Sequence, residues 1–238
     1  MAKQYRNTID FVVRAIAACW ENARTLSVEA DATLSRGNHA LALSLAVLSL
    51  EEIGKLMVAD GLLFARSGDE RSKGFEKGLR SHTLKLKALD LFHIFVRSIS
   101  SLDPRYPTEE HFRQALAITL ESDRRLRSEL TQWLGPDCSL TKLDEWKQKG
   151  FYAHADSGGV LQSPQQAVPA ALSKKIVLLA NRLVGTLDFL LRDNLERYAD
   201  VATMIRQGVS EDELRALRDA IESLISVDHS ERSSELIH

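Results

Sequence analysis

The sequence predicts an all-α protein. Three observations carry that expectation: apolar residues recur at helical spacing near both ends of the chain, residues 40–50 (ALALSLAVLSL) are almost continuously apolar, and no segment shows sustained strand alternation. With 238 residues, 44% of them hydrophobic, and only 5 prolines, the chain can bury a sizeable core and is too apolar for extensive disorder.

Each element has its own signal. From Asn7 to Leu34, Phe11, Ala15, Ala18, Asn22 and Leu26 recur at mostly helical spacing, which fits one long helix or two closely joined ones, with a break at Arg36-Gly37. A second helix is expected from Asn38, a candidate N-cap, to about Ala65; its apolar character on every side marks it as central. Gly54 lowers helix propensity there by about 1 kcal/mol relative to alanine but lets another helix approach closely. The polar stretch Ser67 to Gly78 reads as a connection, and a third helix follows over Ser81 to Ser98, with Leu84, Leu91, Ile94 and Phe95 on its buried face. Pro104 and Pro107 mark a turn before a fourth helix, Glu109 to Trp133, which ends ahead of Gly135-Pro136. A short helical piece, Leu140 to Lys149, leads into the irregular stretch GFYAHADSGGVLQSPQQAVP. The next helix, Ala170 to Tyr198, carries Leu172, Ile176, Leu179, Leu183, Leu187 and Leu190 on successive turns, and Ser210 to Glu213 has the capping-box pattern that starts a final helix. These elements make an antiparallel bundle over residues 1–200 and a C-terminal helical extension over 201–238 packed on or beside it.

Composition excludes several functions. Lys and Arg number 31 against 33 Asp and Glu, a formal charge of −2, so no global field attracts RNA, DNA or an anionic membrane, and nucleic-acid binding would need a local basic groove. Cys19 and Cys138 form no CxxC pair and are expected to be reduced. The N-terminal stretch has the pattern of neither a secretory leader nor a membrane span, so the expected location is the cytoplasm, without membrane association. Gly158-Gly159 lacks the residues of a phosphate-binding loop, and no cofactor is expected. His39 and His93, within predicted helices, read as structural or solvated, and Trp20, Trp133 and Trp146 as packing anchors.

The central helix carries Glu51 and Glu52 side by side. Glu51 precedes Lys55 by four residues, the order of an ordinary surface pair. Glu52 points about 100° around the helix from Glu51. In so apolar a helix at least one of the two needs an internal donor or a metal to offset desolvation. The third helix offers His82, Lys85 and Lys87, and a polar network joining Glu52 to that helix is the leading expectation, ahead of a functional polar site. A metal site is the weakest reading: a carboxylate-bridged centre wants ExxH on two core helices, and the only such spacing is Glu235 to His238.

The run NARTLSVEADATLSRGNHALALSLAVLSLEEIGK, then RSHTLKLKALD and WKQKGFYAHAD, resembles the AbiV-type abortive-infection family of the HEPN superfamily over roughly residues 15 to 195. Its most specific part is LEEIGK followed by H-x-x-K at His82 and Lys85. The resemblance implies a HEPN-like helical bundle, a bacterial anti-phage role and homo-oligomerisation. Many HEPN proteins are metal-independent ribonucleases with an R-x4-6-H motif near a dimer interface, and the nearest match here is Lys149-GFYA-His154, with lysine in place of arginine. An imidazole at His154 can exchange a proton with an RNA 2′-hydroxyl or leaving oxygen. Lys149 could hold a phosphate oxygen but lacks arginine's bidentate fork. Tyr152 could stack on a base or hold the loop, and Asp156 could orient His154 or cap the loop. Lys142, Lys147 and Lys149 are the candidate sources of local positive potential. The competing reading is a noncatalytic module that binds a phage or host protein.

Overall fold

The computed structural model describes residues 9–61, 81–82, 85–86, 88–89, 142–155, 157–192 and 195. The connection expected at Ser67 to Gly78, the helix Glu109 to Trp133, the Ser210 to Glu213 cap and the extension 201–238 lie outside the described residues. Within them the chain is helical, with one small hairpin.

Helix α1 (Ile9–Ser35) is a single uninterrupted helix, which settles the choice between one element and two. It stops in a Schellman turn: Asn38 N–H donates to Thr33 O at 3.2 Å and Gly37 N–H to Leu34 O at 2.9 Å, with Gly37 at φ +82°, a conformation glycine adopts without a Cβ penalty. Asn38 then caps α2 (His39–Gly61), its Oδ1 accepting from the Leu41 N–H at 3.2 Å. One residue therefore closes the first helix and opens the second. The resulting αα-hairpin is held across its middle by Ser49, whose Oγ donates to the carbonyl of Ala23 at 2.7 Å.

The short helix α3 (Leu143–Phe151) leads to strand β1 (His154–Ala155), which pairs antiparallel with β2 (Leu161–Gln162), His154 facing Gln162. Strands of two residues are too short to show alternation, so the sequence predicts none here. After the hairpin, the single turn α4 (Pro164–Ala167) starts with proline at its first position, where the missing N–H costs nothing. Ser163 donates its backbone N–H to Gln166 Oε1 at 3.0 Å. The last described helix is α5 (Ala170–Leu191).

Contacts fix the directions. On α1 and α5, Trp20 Nε1 donates to Asp188 at 2.8 Å and Ser27 Oγ to Asn181 at 2.5 Å, so the later residue of one meets the earlier residue of the other and the two helices run antiparallel. Between α2 and α3, Gly150 sits against Ala40 and Lys147 against Ser44 and Glu51, again antiparallel. Helix α2 touches α1, α3, α4 and α5, which explains why its sequence is apolar all round. Its Leu43, Val47, Leu50 and Ile53 are fully buried, with Val12 and Ile16 of α1 and Ile176 and Leu187 of α5. Leu86 and Leu89, helical and buried, add the face of the third predicted helix that the structure describes; Leu84, Leu91, Ile94 and Phe95 fall outside it. Leu172, Ile176, Leu179, Leu183 and Leu187 all turn to or against the core, as their spacing predicts.

Two glycines bring the polar residues together. A Cβ at Gly54 would overlap the backbone carbonyl of Lys85, and one at Gly150 would strike Ser44 Oγ and lie 2.5 Å from the Ala40 carbonyl oxygen. Neither glycine tolerates a side chain without moving backbone. Although alanine favours a helix by about 1 kcal/mol over glycine, Gly54→Ala and Gly150→Ala are each expected to destabilise the protein by about 1–3 kcal/mol, the usual cost of overpacking, as read by chemical denaturation; unchanged or raised stability would refute the close approach.

Candidate functional site

The centre of the bundle holds a charged network built on α2. Glu51 is almost completely buried. Its Oε1 accepts from Lys147 Nζ of α3 at 2.6 Å, and its Oε2 lies 2.5 Å from His82 Nδ1 and 3.8 Å from Lys85 Nζ. Lys147 is as deeply buried, and its ammonium also lies 2.5 Å from Asp144 Oδ1 and 3.1 Å from His82 Nδ1. The Asp144 oxygen is itself buried and, although close, is not aligned for a hydrogen bond. Two carboxylates and two ammoniums thus share a small volume, and their formal charges cancel.

A separation of 2.5 Å between Glu51 Oε2 and His82 Nδ1 requires a proton between them, so Nδ1 donates and the tautomer is assigned by that geometry. Nδ1 cannot then accept from Lys147, whose ammonium stands 3.1 Å away without a shared proton. Burial lowers the pKa of Lys85, and Glu51 acts against that shift by stabilising the ammonium.

The pairing differs from the sequence expectation. Glu52, rather than Glu51, pairs with Lys55, and Glu51, rather than Glu52, joins His82 and Lys85. Lys55 is within helical reach of both carboxylates, so only the tertiary surroundings decide, and an all-apolar helix gives no face to read. Beside the Glu52–Lys55 pair lies Cys19, whose thiol is pushed up to about 11 by burial and by the negative charge of Glu52. It is a poor nucleophile at neutral pH.

Lys147 is the residue sequence reasoning placed wrongly. Grouped with Lys142 and Lys149 as a source of field for RNA, it is instead withdrawn from solvent and neutralised by Glu51 and Asp144. Its helix, LDEWKQKGF, reads as polar surface. The i,i+3 spacing of Asp144 and Lys147 was the one available signal, and it is common on exposed helices.

Glu51, His82 and Asp144 together offer three ligand atoms within 4.8 Å of one another, the spacing of a metal centre. The residues do not fit one: Lys147 Nζ already touches all three, standing where a divalent ion would sit and repelling it.

The loop candidates lie elsewhere. His154 is exposed on β1, and Tyr152 is 65% exposed, its ring tilted against Phe151 at 6.2 Å between centroids. The Lys149 ammonium lies 4.8 Å from the centre of the Trp146 ring, a cation–π contact, and no hydrogen bond joins it to His154. Asp156 lies outside the described residues. His39 is structural, its Nε2 lying 2.9 Å from the Val168 carbonyl and 3.2 Å from that of Gln165, which ties α2 to α4.

Removing one partner of a buried pair leaves the other charge unsolvated. Lys147→Met is therefore expected to cost about 3–5 kcal/mol in chemical denaturation, far beyond a surface lysine; a loss within about 0.5 kcal/mol, the range of ordinary surface substitutions, would show that Glu51 is not held by Lys147.

No helix among the described residues is long and apolar enough to cross a membrane. Compared with known proteins, the chain matches no curated protein and no solved structure. The family model described as AbiV matches residues 11–185, most of the chain and every part of the network just described. That family suggests a role in abortive infection, a bacterial anti-phage defence. A helical bundle organised on LEEIGK, with His82, Lys85 and the α3 segment closing on it, together with this match, establishes that the chain belongs to the AbiV family of the HEPN superfamily.

Proposed function

We propose that this anti-phage protein is a metal-independent ribonuclease, with His154 as a proton-transfer residue and Lys149 as a contact for phosphate. The observation that supports it is placement. His154 stands exposed on a hairpin tethered between α3 and α4, five residues beyond a lysine whose ammonium is steadied on Trp146. Lys147, buried and neutralised by Glu51 and Asp144, adds little to any attraction for RNA, which limits the electrostatic contribution to binding.

The chemistry would be attack of an RNA 2′-hydroxyl on the adjacent phosphorus. O2′ loses its proton to a base and bonds to phosphorus, the bond to O5′ breaks, and O5′ takes a proton from an acid. The products are a 2′,3′-cyclic phosphate and a 5′-hydroxyl. One histidine cannot serve both oxygens at once, so on this reading two copies of the segment from Lys149 to His154 come together in a homo-oligomer.

A second reading is favoured by the apolar exposure on the same loop. Tyr152, Val160 and Leu161 present large hydrophobic groups to solvent, as a module that binds a phage or host protein would. Cleavage decides between the two. Purified protein incubated in chelator with structured and single-stranded RNAs is expected to yield cyclic-phosphate ends, and His154→Ala to slow the reaction by about 100-fold or more. Equal rates for the two proteins would remove His154 from the chemistry, and recovery of a specific phage protein from infected cells without RNA cleavage would favour the binding module.

A further inference from the structure

Helix α5 carries apolar side chains on two faces, and the bundle covers one of them. Ile176, Ala180, Leu183 and Leu187 are buried in the core, whereas Leu178 and Phe189, on the opposite side of the helix, are 46% and 63% exposed. Leu178, Arg182, Gly185 and Phe189 follow one another at spacings of four, three and four, so they form one stripe along the outside of α5. Gly185 stands in the middle of that stripe. Glycine weakens a helix interior, and among the described residues nothing lies within 4 Å of where its Cβ would be. Gly54 and Gly150 each admit a neighbouring backbone; Gly185 faces open space.

Charge marks the same face. Lys174, Lys175, Arg182 and Arg192 are all exposed. Asp188, the one acid in α5, is turned to Trp20 and Arg24 of α1 and pairs with Arg192, so Lys174, Lys175 and Arg182 have no acid on their own helix to offset them. The complement of this face is a long element, apolar along its middle and acidic at its edges. Residues 210–226, SEDELRALRDAIESLIS, have that pattern in sequence. Leu214, Leu217, Ile221, Leu224 and Ile225 recur at helical spacing, and Glu211, Asp212, Glu213, Asp219 and Glu222 outnumber Arg215 and Arg218. A helix of that length spans about 25 Å, more than the roughly 16 Å from Leu178 to Phe189. Residues 192–209 are enough chain to turn back after Leu191, the last residue of α5.

We propose that the outer face of α5 is the docking site for residues 210–226 of the same chain, laid down as an amphipathic helix antiparallel to α5. Its leucines and isoleucines cover Leu178 and Phe189, its Glu211 to Glu213 end lies by Arg192, and its Glu222 end lies by Lys174 and Lys175. Gly185 lets the two backbones approach closely. The tether raises the segment's effective concentration at this face above that of any free partner. A second copy is the weaker occupant, because a two-fold axis through the stripe would set one basic α5 against another. Docking here is independent of any ribonuclease chemistry.

The test is amide hydrogen exchange on the purified full chain, wild type against Phe189→Asp. In the wild type, amides 214–225 are expected to be protected to the same degree at every protein concentration. Phe189→Asp is expected to speed their exchange by about 10-fold or more, since an aromatic contact is replaced by a charge, and Phe189→Leu to keep most of the protection. Amides 43–53 of α2 are expected to exchange at wild-type rates in both variants, because Phe189 lies outside the core. Wild-type exchange of 214–225 at the unprotected rate, or protection unchanged by Phe189→Asp, would overturn the docking. Protection that grows with protein concentration would place the segment on a neighbouring copy, and dissociation of an oligomer by Phe189→Asp with 214–225 unaffected would give the face to a second copy; either result would overturn docking within one chain.

Discussion

An ionised glutamate in the middle of an apolar helix governs the architecture. Glu51 cannot remain charged in that setting without donors, since desolvating a carboxylate costs several kcal/mol even after the protein relaxes. The donors come from segments far apart in sequence, His82 and Lys85 on one side and Lys147 on the other. The requirement to satisfy one carboxylate therefore helps dictate which helices meet.

The backbone is shaped to permit it. Gly54, one turn from Glu51, lets the Lys85 carbonyl lie against α2, and Gly150, one turn from Lys147, lets α3 lie against Ala40 and Ser44. Ser44 fills the junction by donating to the Lys147 carbonyl at 2.8 Å. Small residues, and not large ones, set the distances at which the charges pair. Hydrophobic contact holds the helices together, while the polar network favours one register among the several that a uniformly apolar helix would accept.

Much of this was legible beforehand. The Arg36-Gly37 break, the Asn38 cap and the recurring leucines of α5 depend on local backbone chemistry or on period, and local rules decide them. The need for an internal partner near Glu51-Glu52 was legible as well, because apolar neighbours make an unpaired carboxylate costly. Which glutamate turned inward was not, since α2 has no polar face to orient it. Lys147 was not legible either: a lysine in a polar nine-residue helix looks solvated, and its burial follows from Gly150 docking on α2, a tertiary fact. The hairpin at His154 is not legible for the plainest reason, its strands being two residues long.

The same charges that fix the helices leave the His82 side chain half-exposed at the edge of the network. The charges around Glu51 act as a coupled set. A double-mutant cycle on Glu51→Gln and Lys147→Met, followed by chemical denaturation, measures this directly. The account predicts strong non-additivity, a coupling of at least about 2 kcal/mol with the double variant recovering much of what either single variant loses; losses that add to within about 0.5 kcal/mol would contradict it.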